Sequence, residues 1–218
     1  MKPADIVPEE TLTRRQTLSA LGVGVIGGLL GTVFLPGATE SPPTEVPEVG
    51  ETDRDVAALD ESETPYAVWQ YRVDSSDEFS RTLPINVVFP LENATFEDVV
   101  DVFGSARWVS FPAEYTRYAW DREREQYVPS QWSGAETYYG AAGRLHVRCW
   151  ELAETTSIQA HTDTPATPSH SIRSHAEART AVENLFTAAG WTVDEYVDLQ
   201  NDSGDHDGRA SKIRMGDS

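Results

Sequence analysis

Lysine is almost absent. Only Lys2 and Lys212 occur in the 218-residue chain, so arginine supplies the rest of its 17 basic residues against 36 acidic ones. The formal charge of -19 lacks the positive footprint that binding a phosphate backbone requires. No nucleic acid is therefore expected as a partner, and an anionic lipid surface is disfavoured on the same ground. Cysteine is nearly missing as well. Cys149 stands alone, which rules out an intramolecular disulfide whatever the redox compartment. With apolar neighbours on an alternating strand, it reads as a buried thiol rather than a nucleophile. The chain has no H-E-x-x-H, no C-x-x-C and no serine in a nucleophile elbow, so no reaction follows from motifs.

What is present argues for a folded domain. Apolar residues make up 39% of the chain and include six tryptophans, too hydrophobic a composition for global disorder. The length suits a single core. A folded body with a densely carboxylated, lysine-poor surface resembles the proteins of extreme halophiles such as haloarchaea, which implies that it works in concentrated salt.

Residues 1–38 read as an export signal. Thr13-Arg14-Arg15-Gln16 precedes an apolar run to Leu35 that is interrupted by five glycines. This resembles a twin-arginine signal, which implies that Arg14 and Arg15 address the chain to the twin-arginine export machinery. As a helix, residues 18–35 would reach about 27 Å, so an uncleaved segment would be a transmembrane anchor. The product is expected across the cytoplasmic membrane, anchored at the cell surface or secreted. Residues 39–64, rich in Pro, Glu, Asp and Thr, read as a disordered acidic linker. Residues 65–199 form the domain, and residues 200–218 read as a disordered acidic tail.

Within the domain, Pro84 to Phe89 is a β-branched run suited to a central strand. Phe96, Val99, Val100 and Phe103 fall at helical spacing behind the cap residue Thr95. Two aromatic strands follow from Tyr115, joined by a charged turn at 121–125. Leu145–Leu152 and Thr156–Asp163 alternate as a hairpin. Ser174 to Glu177 opens a second helix, which Gly190 ends, before a last strand from Trp191 to Leu199. The order β-α-β-β-α-β predicts an α+β, ferredoxin-like sandwich with two helices on one face of a mainly antiparallel sheet, and an aromatic β insertion at 106–143.

The hairpin concentrates the chemistry. A tight turn pairs His146 with His161 and Arg148 with Gln159. Leu145, Val147, Cys149, Ile158 and Ala160 then point to one face, and His146, Arg148, Gln159, His161 and Asp163 to the other. His175 is expected to face solvent, and His206 to lie in the tail. Asn93 and Asn201 head glycosylation triplets, although Asn93 also suits a turn or cap.

The segments GRLHVRCW (143–150), IQAHTDT, His170 and HAEARTAVENLFTAAGW together resemble the LssY C-terminal-like domain family, a domain of unknown function, over Pro84 to Trp191. That resemblance implies a shared set of His146, Arg148, Asp163, His170 and Arg179. The long aromatic insertion departs from the pattern, and no phosphatase module accompanies it here. The family implies no chemistry.

Three functions are consistent with these residues. The first is an extracytoplasmic domain, not an enzyme, that binds a small ligand or an envelope partner through His146, Arg148, Gln159, His161, Asp163, His170 and Arg179, with the arginines holding an anion. The second is a hydrolase in which His146, His161 and Asp163 ligate a divalent metal, zinc or manganese, with His170 as fourth ligand or proton shuttle. The third is a structural envelope protein. Each polar residue also has a plainer reading as a paired side chain, Arg179 with Glu183 among them.

Overall fold

In a computed structural model of the protein, the described residues are 64–111, 117–137, 144–165 and 171–216. The export signal with Arg14 and Arg15, nearly all of the linker, and His170 lie outside them. The described elements are β1 (Trp69–Val73), β2 (Phe79–Pro84), β3 (Val87–Pro90), α1 (Phe96–Ser105), β4 (Val109–Ser110), β5 (Tyr118–Asp121), β6 (Gln126–Pro129), β7 (Trp132–Ala135), β8 (Leu145–Leu152), β9 (Thr155–Asp163), β10 (Ile172–Ser174), α2 (Ala176–Ala188), β11 (Trp191–Asp198) and β12 (Arg209–Met215). Among the described residues no helix is long and apolar enough to cross a membrane.

The strands form two sheets. A small one runs β2-β1-β5-β6, and a large one runs β11-β12-β3-β9-β8-β7-β4, with β10 also paired to β9. The long hairpin β8–β9 is the centre of the large sheet, and its alternation divides the protein into layers. Val147, Cys149, Ile158 and Ala160 join Phe89, Phe103, Val182 and Phe186 in a core beneath the two helices. Trp150 and Leu152, on the other side, join Val68, Ile85, Ala119 and Val128 in a second core between the sheets. Tyr71, Phe79, Tyr118 and Tyr127 form a third cluster belonging to the small sheet, with Phe79 stacked on Tyr127 at 3.7 Å. The insertion's aromatics are thus packing residues, half of a covering sheet whose other half, β1–β2, precedes the central strands.

The ferredoxin-like expectation is wrong. The chain is mostly β, with twelve strands in two sheets and two helices among the described residues. β3 pairs antiparallel with β9, and the departure lies in the added strands, four of them in a second sheet and four more, β4, β7, β10 and β12, in the large one. A further strand occupies the place beside β3, because β12 inserts between β11 and β3, antiparallel to one and parallel to the other. This also corrects the disordered tail: residues 209–215 are an internal strand of the sheet.

Local signals explain the helices. Thr95 caps α1 in a reciprocal box with Asp98. Ser174 Oγ accepts from the Glu177 amide of α2 at 2.9 Å. The rest of that cap is non-local, since Asp205 Oδ1 accepts from the His175 amide at 2.8 Å and Asp205 Oδ2 from Ser174 Oγ. Gly190 at φ 88 ends α2 in the left-handed region, and Trp191 returns edge-on to Phe186 at 5.2 Å.

Two buried asparagines tie the layers where the chain passes from β2 in one sheet to β3 in the other. Asn86 mimics a strand partner: its Oδ1 accepts from Ala160 N at 2.9 Å, and its Nδ2 donates to Ala160 O at 2.8 Å. Asn201 Nδ2 donates to Val68 O and Ile85 O at 2.7 and 2.8 Å. Asn201 is fully buried, so the folded domain offers no acceptor amide there, and its glycosylation reading falls. Asn93 is exposed.

A chain ending at Leu199 should lose cooperative thermal unfolding by circular dichroism, because it lacks β12, Asn201 and Asp205. A chain ending at Gly216 should keep it. Equal melting of the two would show that the strand is dispensable.

Candidate functional site

The hairpin register anticipated from sequence is the one observed, with His146 opposite His161 and Arg148 opposite Gln159. Its polar face is not open to solvent. His146, Arg148, Gln159, His161 and Asp163 are all buried, because the small sheet lies over them. Every buried donor and acceptor there therefore needs a partner within the protein.

Arg148 NH1 reaches Gln70 Oε1 of β1 at 3.4 Å. The Gln70 amide is oriented by its other end, where Nε2 donates to Thr82 Oγ1 at 2.9 Å, and the Thr82 hydroxyl in turn donates to the Gln70 carbonyl. Asp163 Oδ2 meets Arg144 Nε at 3.2 Å in an ion pair whose side chains are 2% and 4% exposed. The Asp163 amide also donates to Arg144 O at 2.8 Å. One residue thus binds both the backbone and the charge of the next strand's end.

His161 lies between Gln159 Oε1, 3.0 Å from its Nδ1, and Asp163 Oδ1, 3.3 Å from its Nε2. If Oε1 accepts from Nδ1–H, a neutral ring turns a bare Nε2 towards the carboxylate, and the buried Gln159 Nε2 has no hydrogen-bond partner. Exchanging the two ends of the amide resolves this. Gln159 NH2 then donates to Nδ1, and Nε2–H of a neutral imidazole donates to Asp163. Burial is the largest influence on His161 and pushes its pKa down, against the pull of Asp163, so the ring is neutral at neutral pH.

Four of the five histidines form a file. Ring centroids are 5.1 Å apart from His146 to His161, 6.4 Å from His161 to His175, and 6.4 Å from His175 to His206. The expectations that His175 faces solvent and that His206 lies in a tail are both corrected, since these rings are 5% and 3% exposed. His175 Nδ1–H donates to Ala160 O at 3.3 Å. His206 Nε2–H donates to Asn201 Oδ1 at 2.9 Å, an assignment that follows because the asparagine NH2 is used by two carbonyls.

The proposed metal ligands do not converge. His146 Nε2 is 3.1 Å from Ser133 Oγ, and both His161 nitrogens face side chains of their own strand. Among the described residues no group of three His, Cys, Asp or Glu could hold a metal ion. Cys149 lies in the core beneath the helices, where burial raises its pKa well above the ordinary thiol value. Ser133 and His146 have the distance of a nucleophile and base, but at 5% and 3% exposure neither is open to a substrate. Arg179 takes its partners elsewhere. It lies on α2, where NH1 donates to Asp207 Oδ1 at 2.7 Å and to Arg209 O, and its guanidinium sits 5.2 Å from the Tyr196 ring. Glu183, its expected partner, instead accepts from Tyr196 OH and Ser211 Oγ.

A cavity of ≈ 380 Å³ opens beside His161, between the sheets. From the small sheet it is lined by Gln70, Arg72, Thr82, Leu83 and Arg117, and from the large one by Arg148, His161, Asp163, Ser171 and Ile172. Of the residues expected to form a site, Arg148, His161 and Asp163 reach this cavity. His146, Gln159 and Arg179 are not among its lining residues, and His170 is outside the described residues. Gln70, Arg72 and Arg117 were missed because they sit on strands that only the tertiary fold brings over the hairpin. Trp150 Nε1 donates to Arg117 O at 3.3 Å, so a core tryptophan fixes where that arginine starts. Compared with known proteins, the chain matches no family model, no curated protein and no solved structure.

The histidines make stability depend on pH. Burial lowers the pKa of His161 and His175, and that of His206 to about 4. The unfolded chain takes up protons near pH 6.5 while the folded rings stay neutral. Their contribution is therefore complete above about pH 6.5 and is lost progressively as pH falls towards 4. Melting temperature in molar salt should drop across this window. His206→Gln, which keeps a donor for Asn201 and cannot titrate, should make the drop smaller; an unchanged profile would remove His206 from the effect.

Proposed function

We propose that the protein is an extracytoplasmic domain that binds a small ligand in the cavity between its two sheets. The observation carrying this reading is the cavity itself. It has the size of a small-molecule site, and polar side chains from both sheets converge on it while their neighbours are buried and packed. Binding is favoured over catalysis because the walls carry no cysteine, and the lining serine, Ser171, donates its amide to Thr164 Oγ1 at 3.0 Å and has its hydroxyl 3.3 Å from the same oxygen. A hydrolase built on metal bound by His146, His161 and Asp163 is the weaker reading, since their ring nitrogens are directed to Ser133, Gln159 and Asp163. An envelope role with no ligand leaves the cavity without a purpose.

Native mass spectrometry of protein purified in high salt from its producing host should reveal a small molecule released on denaturation. Leu83→Trp, which fills the cavity from a half-buried position, should remove that molecule while melting stays cooperative. Retention of the molecule by the filled variant would place the binding elsewhere.

The extracytoplasmic half of the proposal rests on Arg14 and Arg15. Replacing both with lysine preserves charge but not the paired guanidinium signal, so precursor should accumulate inside the cell. Unchanged export in fractionated cells would end the twin-arginine reading.

A further inference from the structure

The cavity inverts the charge balance of the chain. Overall, 36 acidic residues stand against 17 basic ones, yet the described lining holds three guanidiniums, Arg72, Arg117 and Arg148, and one carboxylate, Asp163. That carboxylate is already bonded through Oδ2 to Arg144, which is not part of the lining. The positive groups come from three places in the sequence and from both sheets, so no local charge run accounts for them.

Two of them also share one wall of the cavity. In the small sheet Gln70 faces Ala119 and Tyr71 faces Tyr118. One further step of the same register would bring Arg72 beside Arg117, and both line the cavity from the small sheet. Arg148 approaches from the large sheet. It is 7% exposed, and the end of its guanidinium is turned to the small sheet by the neutral Gln70 Oε1. Arg72 is exposed and Arg117 half-buried, so the lining grades from a desolvated floor to an accessible rim.

We propose that the ligand is a small oxyanion, bearing a carboxylate or a phosphate group, gripped by Arg148 at the floor and by Arg72 and Arg117 at the rim; this rests on the cavity being the binding site. Guanidinium is the cation suited to the task. Its planar fork bonds two oxygens at once and is only weakly hydrated. In molar salt the screening length falls to about 3 Å, which suppresses attraction between exposed charges and leaves short, recessed, bidentate contacts as the means of holding an anion. Leu83 and Ile172 on the same walls favour an anion with a short carbon skeleton.

The test is calorimetric titration of the full chain in molar potassium chloride with malate, citrate, inorganic phosphate and sulfate, and with glucose as a neutral control. Malate or citrate against phosphate decides between the two oxyanion groups. The proposal expects at least one oxyanion to bind and glucose not to bind. Arg72→Gln should weaken the binding about tenfold, and Arg148→Gln about 10- to 100-fold, the cost of losing a charge-assisted bond. Because Arg72 is exposed, its variant should melt as the parent does, which keeps the test valid if Arg148→Gln fails to fold. Binding of glucose without any oxyanion overturns the anion class and leaves the cavity reading standing. Oxyanion binding that Arg72→Gln leaves unchanged overturns the assignment of the rim. No binding by any probe, in a protein that also carries no ligand from its host, overturns both readings.

Discussion

Everything in this fold depends on covering both faces of one hairpin. β8 and β9 are buried along nearly their whole length, with Glu151 the one exposed position in the pair. A two-faced central hairpin must find apolar partners on one side, and on the other either apolar partners or a complete set of polar ones. Both solutions appear on the inner side. Trp150 and Leu152, at one end, pack against Ile85, Val88 and Ala119. At the other end, His161, Arg148 and Asp163 are met by Gln70, Arg144 and Gln159. The cavity opens where the packing changes from the first solution to the second, which is why the apolar and polar ends of a single strand pair locate it.

Covering the second face requires the chain to change sheets, and that imposes its own demands. Between β2 and β3, Ile85 and Asn86 cross from one sheet to the other with their backbone groups buried. Asn86 restores the interrupted ladder with its side chain. Asn201, His206 and Asp205 then bring the residues after β11 back to this crossing and to the start of α2. A buried amide left without partners costs roughly 1–3 kcal/mol, so this polar knot holds β12 in place as firmly as apolar contacts would. The segment from 200 to 208 is an acidic loop on the outside and a structural clasp on the inside.

That double character explains what sequence could and could not disclose. The hairpin, its register, both helices, the α1 cap, the Gly190 stop and the aromatic pair β5–β6 were legible, because each depends on a period or cap written within about 20 residues. β12 was not. In RASKIRM the charged positions answer partners elsewhere in the chain: Lys212 bonds Glu195, and Arg214 bonds Asp194 and Glu92. A central strand that looks polar, after a run of Asp, Gly and Ser, carries no apolar period to betray it. Losing it turned a two-sheet β protein into an expected α+β sandwich. The same blindness applied to the site. Arg148, His161 and Asp163 could be found on their hairpin, but Arg72 and Arg117 belong to it only through the sheet packed above.

The separation of charge within the molecule follows from the same geometry. Carboxylates gather on surfaces that water and salt can screen, including the outer edge at β11, where Asp194 and Glu195 answer the chain's second lysine and Arg214. Arginine is the basic residue that this protein takes indoors: Arg144 and Arg148 are 4% and 7% exposed. Desolvation explains the choice. An ammonium gives up a tight hydration shell on burial, whereas a guanidinium spreads its charge and keeps five directed donors for the acceptors around it. A lysine-poor composition is therefore compatible with a positively lined interior, and net charge, which describes the surface, says nothing about the sign of the recess between the sheets.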